Sequence, residues 1–280
     1  MSWELPVAAQ REIFVQQPDF PVSYSFAEAS RGCGYLTPAH WHEHIELLCV
    51  ETGALRVNIQ GSWVTALPGE LVVVNAGEIH SIPEKDAETL YACLIPQKSL
   101  CVRSGLPVEE IRLCHLIQDP DCTKLFRSLM QELRDKPLYY KADVQARLVS
   151  FLVQLARCHG MERRERSHHS RASKEYMVKR AVEYLQENFT QPISTGDVCA
   201  YLGFDKSYIC NTFKEITGTT VLEYLNMMRC ERARELILSG ELSIAQSAAA
   251  SGFRHWSYFT KTYKKYIGCL PSETARSGME

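Results

Sequence analysis

Eleven cysteines are scattered over 280 residues, and no two of them stand as C-x-x-C. An odd number without that spacing indicates neither a disulfide framework nor a cysteine zinc site. Cys49, Cys93 and Cys199 sit in apolar runs and read as small hydrophobes. No apolar run approaches the roughly 18 residues that a membrane helix needs, and no signal peptide opens the chain. A soluble, cytoplasmic protein with no membrane partner is expected. Strong charge of either sign is also missing, the net value being -2. Residues 1–170 hold 17 Lys+Arg against 21 Asp+Glu, and residues 171–280 hold 14 against 12. A weakly basic second part would attract phosphates only modestly, so specific contacts would have to supply much of any affinity for nucleic acid. Proline and glycine are absent from Val221 to Leu238. At ~1.5 Å per residue that segment makes a helical rod of roughly 27 Å.

One pattern occurs twice, on either side of that rod. Ile193 to Phe204 reads I-S-T-G-D-V-C-A-Y-L-G-F, and Leu242 to Phe253 reads L-S-I-A-Q-S-A-A-A-S-G-F. Each copy runs on into a second segment, S-Y-I-C-N-T-F-K from Ser207 and S-Y-F-T-K-T-Y-K from Ser257, and closes on Gly218 or Gly268. Two helices across a glycine turn, the second carrying polar residues outward, are the sequence form of a helix-turn-helix. Ser243 with Gln246 makes a capping box, and Ser194 with Asp197 a looser one. Small residues, Cys199 and Ala248, stand four before Gly203 and Gly252, where two helices must cross closely. Ile209, Phe213 and Ile216 repeat at helical spacing, as do Phe259, Tyr263 and Tyr266, so both stripes are expected to face inward. In the rod, Leu222, Leu225, Met228, Ala233, Leu236 and Ile237 form the expected inward stripe.

The opposite faces are the candidate readers of DNA. Ser207, Cys210, Asn211, Trp256, Ser257, Thr260 and Lys261 are expected at base edges, and Lys206, Lys214 and Lys264 at phosphates. Asn211 can pair bidentately with adenine, Lys261 can donate to guanine, and Trp256 can touch a thymine methyl. Major grooves on one face of a duplex recur every ~34 Å, so one rod can hold two recognition helices in adjacent grooves. The competing interpretation is a plain bundle whose polar faces meet only water.

Residues Lys174 to Arg276 resemble the DNA-binding domain of the AraC/XylS transcription regulators. The resemblance rests on G-F-x-x-x-S-Y-F-x-K-x-Y-K-K-Y-x-G at Gly252 to Gly268 and on the P-S-E from Pro271. Two departures are Cys269-Leu270-Pro271, where that family more often has threonine or serine before the proline, and Thr274, where an aromatic is common. Both put the packing at the exit of the last helix in question. The resemblance implies an all-α domain that binds double-stranded DNA, with RNA polymerase as a further candidate partner.

Residues 20 to 100 read as short strands. Ile45–Val50, Leu55–Ile59, Trp63–Leu67 and Leu71–Val74 are separated by Thr52-Gly53, Gln60-Gly61, Pro68-Gly69 and Asn75-Ala76-Gly77, a spacing that suggests a small barrel or sandwich. Gly34, His40, His42, Glu46 and Gly53 fall at G-x5-H-x-H-x3-E-x6-G, and Gly69, Gly77 and His80 at G-x7-G-x2-H. This is similar to the two cupin motifs, with Asn75 in place of a proline and Glu84 in place of the closing asparagine. The resemblance implies a double-stranded β-helix barrel. It also makes His40, His42, Glu46 and His80 the effector-binding candidates, and the ligands if a metal is held. His40 and His42 alternate onto one face of a strand, and three imidazoles with a carboxylate suit Fe, Mn, Ni or Zn. Sensor domains of this kind commonly bind an organic effector without metal, so a small molecule is expected there, a sugar or related metabolite, and no cofactor. Trp41 should face away from the two histidines, whereas His44 continues their alternation. Tyr24, Phe26, Arg31 and Tyr91 are lesser candidates for a pocket mouth.

Asp121–Leu133 and Tyr139–His159 read as two helices broken at Lys136-Pro137. The second carries Val144, Leu148, Phe151, Leu152 and Leu155 at helical spacing, either to pack on the barrel or to form a homodimer seam. The expected fold is α+β and multidomain: a cupin-like sensor at 1–115, a helical connector at 116–160, a charged linker at 161–173 and the DNA-binding domain at 174–276. The function expected is an effector-controlled transcription regulator, a homodimer and not an enzyme. One rival is a metal-dependent cupin oxygenase or isomerase fused to a DNA-binding domain, using His40, His42, Glu46 and His80. Another is DNA-alkylation repair, which lacks here the cysteine zinc site it needs.

Overall fold

The computed structural model describes residues 15–17, 19–27, 37–82, 88–161 and 168–277. Gly34, Arg31 and Glu84 therefore lie outside the described residues, as do residues 162–167 of the expected linker. The strands are β1 (Val15–Gln17), β2 (Phe20–Ser25), β3 (Thr37–His40), β4 (Glu46–Thr52), β5 (Leu55–Ile59), β6 (Ser62–Ala66), β7 (Leu71–Val74), β8 (His80–Ile82), β9 (Leu90–Pro96) and β10 (Leu116–Ile117). They form two sheets, one ordered β1-β2-β9-β4-β7-β10 and one ordered β3-β8-β5-β6. All described pairings are antiparallel.

Alternation along each strand decides what each sheet face meets. On β4, Leu48 and Val50 join Val57, Ile59, Val72 and Val74 in a buried cluster between the sheets. Leu47 and Cys49 point the other way, into a cluster with α2 (Pro120–Asp135) and α3 (Tyr140–His159). The turn between these helices puts Lys136 at φ 48 and Tyr139 at φ 66, just where Lys136-Pro137 was expected to break them. Val144, Leu148, Phe151, Leu152 and Leu155 are all buried in that same cluster. The stripe on α3 is thus consumed inside the chain, which removes it as a homodimer seam. A short helix not anticipated from the sequence, α1 (Lys98–Arg103), sits between β9 and β10. Asn75, standing where a proline was expected, receives a hydrogen bond from Leu113 N (2.8 Å) and donates one to Leu113 O (3.2 Å).

Seven more helices follow among the described residues: α4 (His168–Asn188), α5 (Thr195–Leu202), α6 (Lys206–Thr217), α7 (Val221–Ser239), α8 (Ile244–Ala250), α9 (Trp256–Ile267) and α10 (Pro271–Ser277). Helix α4 begins at His168, so the last residues of the expected linker are helical. Both expected capping boxes are present, Ser194 N donating to Asp197 at 2.7 Å and Ser243 N to Gln246 at 3.0 Å. A third, Thr220 with Glu223, starts the rod. Gly252 is at φ +90, and an added Cβ would run into the Phe189 and Thr190 carbonyls and the Arg229 Nε. Helix α7 serves two cores: Val221, Tyr224 and Leu225 belong to the first unit's, and Cys230, Ala233 and Ile237 to the second's. Because it is covered on several sides, its buried residues do not follow one stripe, and the expected Leu222 is exposed. At the chain's last turn, Tyr263 Oη donates to Thr274 Oγ1 at 2.9 Å, and Cys269 Sγ lies 3.3 Å from the same oxygen. The two departures from the AraC/XylS pattern thus complement each other.

The first core is not confined to helices. Ala39, Trp41 and Ile79 of the barrel pack into it beside Met177, Val178, Val182 and Tyr224. The molecule is therefore layered, with α2 and α3 on the outside of one sheet and the first helix-turn-helix unit on the outside of the other.

Candidate effector site and DNA-binding face

His40 and His80 are directly opposite each other on β3 and β8. Glu46 opens β4 in the other sheet, and His42 follows β3 in the turn between them. The strand expected to carry both His40 and His42 thus ends at His40, and His42 lies just beyond it. All four side chains are buried, at 3–6% exposure. The Glu46 Oε2 oxygen lies 3.0 Å from His42 Nε2 and 3.0 Å from His80 Nε2. The His40 and His80 rings are 4.1 Å apart between centroids. Cys93, on β9, donates its thiol to the other carboxylate oxygen, Glu46 Oε1, at 3.3 Å. Nothing in the spacing of the motif pointed to Cys93, whose place is set by β4–β9 pairing.

The imidazoles share one orientation. His40 Nδ1 is 2.9 Å from Pro38 O, His80 Nδ1 is 2.9 Å from Glu78 O, and His42 Nδ1 is 3.1 Å from His44 O. A carbonyl only accepts, so each Nδ1 carries the hydrogen and each Nε2 is left for the cluster. Burial, with His80 and His42 beside it, lowers the His40 pKa to about 3 and keeps that ring neutral. Burial would raise the Glu46 carboxyl, but its bonds to His42 and His80 outweigh that and hold it well below the usual carboxylate range. For His80, burial lowers and the Glu46 pair raises, with a net upward shift.

The other candidates fall elsewhere. His44 turns away, its Nδ1 accepting from Lys98 N at 3.0 Å at the start of α1. Trp41 faces away from the histidines, as expected, beneath Lys179 Nζ at 5.4 Å from its ring. Tyr24 and Tyr91 are core residues, and Phe26 is half-buried against Tyr24. A second group that suits a metal is Asp119, Cys122 and His159, where α2 starts and α3 ends. His159 Nε2 is 3.1 Å from Asp119 Oδ2 and 3.7 Å from Cys122 Sγ.

Hydrogen bonds link the cluster's neighbours to the helices. Tyr224 Oη, on α7, donates to Ala39 O at 2.9 Å. Ser81 Oγ donates to Thr217 O, at the end of α6, at 3.1 Å. Gly77 N donates to His42 O at 2.8 Å, and Gly77 O accepts from Lys179 Nζ of α4 at 2.7 Å. Each histidine is thus one residue, or one backbone bond, from a contact with the first helix-turn-helix unit. No local signal in the sequence marks Tyr224, Lys179 or Ser81 for this role.

On the far side, the faces of α6 and α9 stay open. Lys206, Ser207, Asn211 and Lys214 are exposed and Cys210 is half-buried. Trp256, Ser257, Lys261 and Lys264 are exposed. Thr260 is half-buried, its hydroxyl donating back to Trp256 O at 3.1 Å. Ile209, Phe213, Phe259 and Tyr263 are buried beneath them, and Tyr266 is half-buried. Asp205 caps α6 by accepting from Ser207 N at 2.8 Å and Tyr208 N at 3.3 Å. The C-terminal end of α6 docks on the barrel, where a Cβ at Gly61 would run into the Glu215 carbonyl.

Residues 23–155 match the family described as the AraC-like ligand binding domain, and residues 198–277 match the helix-turn-helix domain. An uncharacterized helix-turn-helix-type transcriptional regulator of Escherichia coli (strain K12), YdiP, is 22% identical over 249 residues, 85% of this chain and 80% of that one. The raffinose operon transcriptional regulatory protein RafR of Pediococcus pentosaceus is 32% identical over 97 residues, 35% of each chain. A crystal structure of ToxT from Vibrio cholerae O395 is 15% identical, covers 93% of this chain and 98% of that one, and superposes with a TM-score of 0.47.

Proposed function

The chain belongs to the AraC family of DNA-binding transcription regulators with an N-terminal ligand-binding domain, and on that premise we propose how it reads DNA and where it senses its effector. The effector enters the cluster of His40, His42, Glu46 and His80. Its presence changes how the first helix-turn-helix unit is held, because the two share one interface. The observation that carries this is the set of three hydrogen bonds, Tyr224 to Ala39, Ser81 to Thr217 and Lys179 to Gly77. A ligand acts on an equilibrium only through its different free energies in two arrangements, and these bonds belong to one of them.

Ser207, Cys210, Asn211, Trp256, Ser257, Thr260 and Lys261 are the proposed base readers, and Lys206, Lys214 and Lys264 the phosphate contacts. The exposure of eight of them on α6 and α9, with Cys210 and Thr260 half-buried on the same helices, supports this assignment. In this reading the protein acts in the cytoplasm, pairs with a second copy of itself, meets RNA polymerase at the promoter and performs no catalysis. Among the described residues no helix is long and apolar enough to cross a membrane. Footprinting on the region upstream of its own gene tests the reading, with raffinose, melibiose and metal salts added in turn. A protected site whose strength responds to one additive is expected. Equal binding to that region and to random DNA under every condition sinks it.

A further inference from the structure

We propose that Asp119, Cys122 and His159 hold a divalent ion of the zinc class where α2 begins and α3 ends. None of the three belongs to the effector cluster, so this site stands or falls apart from the effector reading.

Short-range rules deliver two of the ligands. Asp119 is the N-cap of α2, its Oδ1 accepting from Asp121 N at 2.9 Å. The cap thus occupies one carboxylate oxygen and leaves Oδ2 for the site. Cys122 lies in the first turn of the same helix, three residues on, with its Sγ 3.4 Å from Oδ2. The third ligand comes from the last residue of α3, His159, whose Nε2 is 3.1 Å from Oδ2 and 3.7 Å from Sγ. Asp119 and Cys122 repeat the spacing of a C-x-x-C half-site with only one thiol in it. Cysteine spacing alone therefore does not mark them.

The three separations are those of one face of a tetrahedral metal site. Around zinc, with sulfur at about 2.3 Å and nitrogen and oxygen at about 2.0 Å, sulfur stands about 3.5 Å from either neighbour, and nitrogen about 3.3 Å from oxygen. The observed 3.7, 3.4 and 3.1 Å lie close to those edges without any movement of the side chains. Asp119 and His159 have side chains 30% and 24% exposed, whereas Cys122 is buried. The fourth position of the ion thus opens to water.

Charge fits as well. A carboxylate only accepts, so the Cys122 thiol and the His159 Nε2–H both donate to Oδ2. One dication takes the place of both hydrogens: the thiol proton leaves to solvent, and the imidazole hydrogen moves to Nδ1. Thiolate and carboxylate then cancel its two charges. Thiolate and imidazole select Zn, Co or Ni over Mg or Ca, which favour oxygen ligands.

The ion would clamp the first turn of α2 to the last residue of α3. At that point His159 O accepts from Cys114 N at 3.0 Å, and Met161 N donates to Arg112 O at 2.7 Å. Occupancy therefore fixes how the chain leaves α3, the last described element before α4.

The test uses the full chain, stripped with chelator and titrated with Co2+. A charge-transfer band of a single thiolate is expected, saturating at one Co2+ per chain, and Zn2+ in equal amount should abolish it. Cys122→Ser should remove the band. Asp119→Asn keeps an acceptor for the cap, so it serves if the Ser variant does not fold. It should weaken Co2+ by more than the about 10–100-fold typical of an outer-shell change. Cys93→Ser, at the thiol beside Glu46, should leave the band as it is. Zn2+ should also slow amide exchange at Cys114 and Met161. Absence of a thiolate band, a band that survives in Cys122→Ser, or one lost in Cys93→Ser overturns the site. Unchanged exchange at Cys114 and Met161 in the Zn2+-loaded protein overturns the clamp.

Discussion

The Tyr224 hydroxyl of α7 donates to the Ala39 carbonyl at 2.9 Å, one residue before His40 in a strand that turns its other face into the barrel. A single peptide unit thus separates His40, a proposed sensing side chain, from the contact with the DNA-binding half. Tyr224→Phe should leave that buried carbonyl without its donor, at a cost of about 1–3 kcal/mol. It should also shrink the ratio of DNA affinities measured with and without effector. Urea unfolding and fluorescence anisotropy measure the two, and an unchanged ratio would remove this bond from the coupling.

Asn211 and Lys214 are one helical turn apart and both exposed, yet different effects are expected. Asn211→Ala should relax specificity at one base pair, with a loss of ~1–3 kcal/mol on the specific site. Lys214→Ala should weaken all sequences alike and reduce the slope of log K against log salt by about 0.9. Equal losses on specific and random DNA for Asn211→Ala would reject its assignment to a base.

Gly61 is at φ +79 with the Glu215 carbonyl where its Cβ would stand. Gly61→Ala should cost about 1–2 kcal/mol for the left-handed backbone alone, and more from pushing the barrel off α6. Amide exchange should accelerate at Ile216 and Thr217. Unaltered protection there would show that this contact does not hold the two halves together.

Phe151 is 2% exposed inside the cluster that joins α3 to the barrel. Phe151→Ala should destabilise the chain by about 3–5 kcal/mol, with an unfolding midpoint shift that is the same at all protein concentrations. A shift that grows on dilution would mean that this side chain stabilises a dimer instead.

The helix-turn-helix repeat was readable because each of its signals is local. A cap, a left-handed glycine and a stripe at i, i+4 and i+7 act over one or two turns, and Ser243, Gly252 and Phe259 all stand where those rules put them. Strand β5 was readable for the same reason, alternation between turn residues, and β7 as a short apolar run between turn residues. The rod's stripe was misjudged at Leu222 because α7 is covered by two cores, which no single periodicity describes. Helix α1 lacks a side-chain cap bond and runs only six residues, so nothing marked it.

His40, His42, Glu46 and His80 could be picked from their spacing, since a motif preserves the order in which strands deliver side chains to one point. That spacing carries no tautomer, however, and the direction of every Nε2 depends on carbonyls that only the folded backbone places. The role of α3 was equally open, because an apolar stripe does not say which surface will cover it, and the barrel does so here. By itself the sequence picked out two sets of side chains, one proposed for DNA and one proposed for a ligand, through short-range rules of helix and strand. Only tertiary structure decided that they share an interface, because Ala39 and Tyr224 are 185 residues apart and meet through packing alone.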